Sequence, residues 1–185
     1  MPLVLCGCSE SHASGALAPI VAEHVVFDLL TETGRRTVEV ENARYPVHVR
    51  LFRGTSGPGD LRPGLEMTPP ARVRYRIPAF PAGTVLELVP CASAKMRAIP
   101  GEVRFRASLD DELLFEVSRS CASLLEASVT PLRFEVGQGG SVVLETSWEG
   151  EAERPPSVGF TPLVLARTVQ HERRRATPEA PNVVL

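Results

Sequence analysis

Polar and apolar positions alternate most regularly between residues 71 and 118. Arg72, Arg74 and Arg76 interleave with Val73, Tyr75 and Ile77, so one side of the stretch is charged and the other apolar, the period-two pattern of a strand over a core. Pro78, Pro81 and Gly83 end that run, and residues 85–89 follow as a second strand, nearly continuous in apolar character and therefore central in its sheet. After Pro100 and Gly101, Val103 and Phe105 alternate with Arg104 and Arg106. Leu113, Phe115 and Val117 then alternate with Leu114 and Glu116 across a turn at Asp110 and Asp111. These four strands read as the middle of an antiparallel sandwich.

The flanks extend the pattern. Residues 25–30 and 37–41 read as strands split by Thr33 and Gly34, and Val47, Val49 and Leu51 alternate with His48 and Arg50. Residues 54–64, with Gly57, Pro58, Gly59 and Pro63, read as a long loop. Residues 124–129 fit either a strand or one short helical turn, and Leu132, Phe134 and Val136 alternate again. Gly137, Gly139 and Gly140 suggest a hairpin turn into a strand over residues 141–148, and residues 160–166 close the domain. The expectation is an all-β fold, an antiparallel jelly-roll-like β-sandwich of about nine strands. It spans residues 21–169, with disordered tails at residues 1–20 and 170–185.

Composition bounds this picture. At 185 residues and 43% hydrophobic, the chain is long and apolar enough for one domain with a sizeable core. Twenty basic against 22 acidic residues leave a net charge of -2, which gives no global field for nucleic acid or an anionic membrane. Seventeen prolines and 14 glycines favour many short strands over long helices.

Catalytic chemistry is hard to find. His12, His24, His48 and His171 stand at no ligand spacing, and Asp28, Asp60, Asp110 and Asp111 are too few and too turn-like for a cation cage, so no metal and no cofactor are expected. The glycines at 137, 139 and 140 lack the following helix and lysine of a phosphate cradle, and no Gly-x-Ser-x-Gly elbow exists. Tyr75, Arg76, Trp148 and Phe160 are the candidates for a sugar-binding face, with core packing as the competing reading in a chain only 5% aromatic. Cys91 ends one strand and Cys121 follows another. They either pair as a disulfide in an oxidising compartment or stay as two buried thiols.

Three segments carry resemblances to known proteins. Leu5, Cys6, Gly7 and Cys8 resemble the lipobox of bacterial lipoproteins, which implies lipidation at Cys8 and a tether over residues 9–19. The apolar run before Cys8 is shorter than a signal segment and lacks a basic residue, so a complete signal would have to precede Met1. At the other end, a charged stretch with Glu172, Arg173, Arg174 and Arg175 leads into Pro181, Asn182, Val183, Val184 and Leu185. That run resembles the opening strand of the sulfatase catalytic domain. Residues 70–77, 83–88, 101–107 and 159–165 are together similar to the β-sandwich module ahead of some bacterial sulfatase domains, itself similar to galactose-binding-like jelly rolls.

The resemblance implies a non-catalytic accessory module of a cell-envelope sulfatase-like hydrolase, binding carbohydrate or packing against the enzyme. Its partners would be a glycan or sulfated carbohydrate and a downstream sulfatase domain, with no nucleic acid and with membrane contact only through a lipid anchor. Ser56, Gly57, Pro58 and Gly59 begin the motif that sulfatases convert to formylglycine, but Asp60 stands where its arginine should be, so no catalytic residue carries over. Two other readings stand beside this one, an independent envelope lipoprotein that binds glycans or proteins, and an unrecognised small enzyme.

Overall fold

The computed structural model describes residues 19–34, 38–41, 43–53, 61–93, 96, 99–126, 131–161 and 164–171. Their elements run β1 (Ile20–Asp28), α1 (Leu29–Gly34), β2 (Glu39–Glu41), β3 (His48–Arg53), β4 (Leu61–Glu66), β5 (Ala71–Ile77), β6 (Thr84–Leu88) and β7 (Pro90–Ala92). There follow β8 (Glu102–Leu109), β9 (Glu112–Ser120), α2 (Cys121–Glu126), β10 (Leu132–Glu135), β11 (Gly140–Glu149), β12 (Val158–Phe160) and β13 (Val164–His171). The chain divides into two units. Glu23–Thr168 holds the sandwich; of the smaller unit, Met1–Ala22 with Val169–Leu185, the described residues include the outer ends of β1 and β13.

One layer of the sandwich is a five-stranded sheet in the order β2-β5-β11-β8-β9, antiparallel at every pairing. Its alternation is the one read in the sequence: β5 buries Ala71, Val73, Tyr75 and Ile77 and turns Arg72, Arg74 and Arg76 outward. β8 likewise buries Val103, Phe105 and Ala107. Two four-stranded sheets, β1-β13-β6-β10 and β3-β4-β12-β7, supply the facing side of the core. Phe160 of β12 meets Phe105 and Phe115 edge-on at 5.5 and 6.3 Å, while Phe134 of β10 stacks on Phe115 at 5.7 Å. Each such ring removed from water contributes on the order of 1.5–3 kcal/mol.

The two smaller sheets share two stretches of chain. Strand β6 passes into β7 at Val89, and β12 passes towards β13 after Thr161, where the Thr161 amide donates to the Val89 carbonyl at 2.9 Å. The apolar run at residues 85–89 is central, β6 lying between β13 and β10. The hairpin at Asp110 and Asp111 joins β8 to β9, both residues taking positive φ (48° and 69°), as a two-residue turn of the primed type demands.

Several expectations change. Strand β4 begins at Leu61, inside the expected loop, while residues 54–60 lie outside the described residues. Gly64 and Gly159 explain why a glycine-containing stretch is a strand here: the Phe52 ring, fully buried, lies across them, and a Cβ on Gly64 would come within 2.5 Å of it. Leu29 and Leu30 open α1 instead of ending β1, because the Asp28 carboxylate caps that helix, accepting from the Leu30 amide at 2.9 Å and the Thr31 hydroxyl at 3.0 Å. Residues 124–126 form a helical turn in α2. Gly139 and Gly140 turn the chain, but between layers: β10 and β11 belong to different sheets, so the turn is no hairpin. The strands described number thirteen, several of them only three residues long. The expected disorder of residues 1–20 and 170–185 falls almost wholly outside the described residues, as do the lipobox with Cys8 and the terminal Pro181 to Leu185 run.

Candidate functional site

The four residues proposed for a sugar-binding face do not share one. Tyr75 points into the core, 1% exposed, with its hydroxyl 2.7 Å from the Thr33 hydroxyl; Phe160 is fully buried. Arg76 follows Tyr75 directly in an extended strand and therefore projects from the opposite side of the sheet, its side chain 82% exposed. Trp148 has the inward parity of Val142, Leu144 and Thr146 and packs at the margin of the core, close against Gly101 and Gly150. The disulfide does not form either. Cys91 and Cys121 are free and buried; the Cys91 thiol donates to the Gly159 carbonyl at 3.6 Å. Burial pushes both thiols up.

What the fold does assemble lies on the outer face of the five-stranded sheet. Register places Glu41 of β2, Arg72 of β5, Glu145 of β11, Arg106 of β8 and Glu116 of β9 side by side, one residue from each strand, with charges that alternate across the sheet. Arg72 lies 3.2 Å from both Glu41 and Glu145, and Arg106 lies 3.7 Å from Glu145. Arg72 Nε reaches Glu41 at ion-pair distance but outside hydrogen-bond geometry, so it is buried without a hydrogen-bond partner. The adjacent rows do not continue the alternation, since Arg104 is in register with Ser147 and Ser118 and Arg74 with Glu39 and Val143, but their arginines also reach carboxylates on the diagonal. Arg104 pairs with Glu116 at 4.0 Å and Glu149 at 3.4 Å, Arg74 with Glu39 and Glu41 at 3.7 and 3.6 Å, and Arg76 with Glu39 at 2.9 Å. Val143 shares this outer face, in register with Arg74 and Ser108, yet is only 1% exposed.

Two depressions open on this face. One, of about 250 Å³, is lined by Pro70, Arg72, Arg104, Arg106, Glu116 and Glu145 among others. A wider, shallower one lies toward the other end of the strands, between Arg74, Arg76, Glu39, Asp110 and Ser141. Guanidinium groups can only donate and carboxylates can only accept, so the first depression offers both halves of a hydrogen-bonding lattice within one small volume. The sequence announced the arginines by their alternation. It did not announce their partners, because Glu39, Glu41, Glu116 and Glu145 sit on three other strands and only the register brings them together. Among the described residues, no group of three or more histidine, cysteine, aspartate or glutamate side chains is placed to hold a metal ion, and no helix is long and apolar enough to cross a membrane.

No protein-family model matches the chain, and no curated protein matches it. Solved structures do. The CBM51 module of a GH95 enzyme from Clostridium perfringens, determined with methyl-galactose, superposes with a TM-score of 0.52 at 10% identity, covering 69% of this chain and 92% of that one. The M60 catalytic domain of Clostridium perfringens ZmpB with its CBM51-1 and CBM51-2 domains superposes with a TM-score of 0.50 at 14% identity, covering 70% of this chain and 14% of that much longer one. The fold is therefore an antiparallel β-sandwich of the kind that carbohydrate-binding modules share.

Proposed function

We propose that the protein is a non-catalytic carbohydrate-binding accessory module, and that the outer face of the five-stranded sheet is its binding surface. The observation that carries this is the depression between Arg72, Arg104, Arg106, Glu116 and Glu145. Its volume, about 250 Å³, lies just under the range of roughly 300–1,000 Å³ used for drug-sized ligands, which suits a sugar ring or two. Hydroxyl groups are donors and acceptors at once, and a surface that alternates fixed donors with fixed acceptors can satisfy both roles of each hydroxyl. The similar sandwich determined with methyl-galactose supports the reading at the level of fold.

The setting we propose is the cell envelope, with lipid at Cys8 and a sulfatase-like hydrolase domain following Leu185. The lipobox resemblance of Leu5 to Cys8 and the resemblance of residues 181–185 to a sulfatase opening strand support it. The purified chain should release no sulfate from an aryl sulfate. Radiolabelled palmitate should enter the protein only when a complete signal segment precedes Met1, and Cys8→Ala should abolish that labelling.

A glycan array probed with the labelled protein tests the binding reading. Binding is expected, and Arg72→Ala and Arg106→Ala should each reduce it at least about tenfold, the loss of one charge-assisted hydrogen bond. Absence of binding to every glycan, or binding indifferent to both substitutions, would reject this site.

A further inference from the structure

Every guanidinium in the binding depression already has a carboxylate within 4.0 Å. Arg72 lies against Glu41 and Glu145, Arg106 against Glu145, and Arg104 against Glu116 and Glu149. Three arginines and two glutamates line the depression, and Glu41 and Glu149 stand just beyond its lining against Arg72 and Arg104; over the whole face, with Arg74, Arg76, Glu39 and Asp110, five cations meet six anions. The wider depression sets Arg74 and Arg76 against Glu39, Glu41 and Asp110. A sulfate or carboxylate on a sugar would have to compete with a glutamate for its arginine and would then sit among the remaining carboxylates. A hydroxyl has no such obstacle: it donates to a carboxylate oxygen and accepts from the neighbouring guanidinium while the ion pair stays in place.

We infer that the face selects uncharged, hydroxyl-rich glycans and discriminates against sulfated and uronate-bearing ones. This rests on the carbohydrate-binding reading and narrows it to a ligand class, opposite to the one that a sulfated substrate would suggest. In this arrangement the glutamates act as hydroxyl acceptors and as a screen against anions, and the arginines act as hydroxyl donors.

The test uses the whole chain on an array of matched pairs, each glycan present in neutral and sulfated form, including galactosides. Binding to the neutral members is expected, changing less than about twofold between low and high salt because no net charge is exchanged. Binding only to sulfated members, weakened by salt, would overturn the inference and leave the carbohydrate-binding reading intact. Binding to neither member of any pair would overturn both. Glu145→Gln separates the two chemistries further, since it removes one negative charge shared by Arg72 and Arg106. It should weaken neutral ligands several-fold and leave sulfated ones excluded less severely; tighter binding of a sulfated glycan than of its neutral partner by the unmodified protein is the result that would defeat the proposal.

Discussion

Tyr75 shows what a single residue contributes when its ring and its hydroxyl have different needs. The ring is core; the hydroxyl is satisfied by Thr33. Burial pushes its ionisation well above the ordinary 10.0, the Thr33 bond opposing and Asp28 adding to the rise, and burial pushes Cys91 above its ordinary 9.0. Both groups are neutral below their unfolded-state values, so their contribution to stability is intact at neutral pH. Above about pH 9 the unfolded chain releases these protons and the folded chain retains them, so stability must fall as pH rises. Thermal unfolding followed from pH 7 to 11 should show that decline, and Tyr75→Phe should make it shallower above pH 10 while costing about 1 kcal/mol at pH 7. The parity that buries Tyr75 was legible in the sequence, because residues 72, 74 and 76 are all arginine. A common ligand face for Tyr75 and Arg76 contradicted that alternation from the outset, since neighbours in a strand face opposite ways.

Among the elements, the legible ones were those with regular alternation or, for residues 85–89, a continuous apolar run, and the missed ones were those whose burial depends on a partner. Strands β5, β6, β8 and β9 announce themselves. Strand β4 does not, since Pro63 and Gly64 look like punctuation until Phe52 from β3 is seen lying over the glycine. Strand β7, three buried residues long, carries no period to read. The β8–β9 hairpin offers a test of how its two aspartates differ. Asp110 accepts from the Ser141 amide at 2.8 Å, tying the hairpin to the start of β11 where Gly140 leaves space for its carboxylate. Asp111 has the larger positive φ, 69°, at a position where glycine is favoured. Asp110→Gly should therefore destabilise the protein by about 1 kcal/mol more than Asp111→Gly does, as judged by denaturant midpoints.

For the molecule as a whole, the row Glu41, Arg72, Glu145, Arg106 and Glu116 has a property that none of its members has alone. Five strands with strictly alternating charge must end on the same sign at both sides, and here both border strands, β2 and β9, carry glutamate in that row. An open sheet border is a template for another strand, yet a second molecule aligning its row with this one would bring carboxylate against carboxylate at either border. An even number of strands with the same alternation would have ended in opposite signs and invited head-to-tail stacking into fibres. Glu41→Arg tests this by making the two borders complementary. Sedimentation at rising concentration should then detect association that is absent from the unmodified protein and is reversed by salt. An odd strand count would thus let a surface of nearly balanced charge resist adhering to itself.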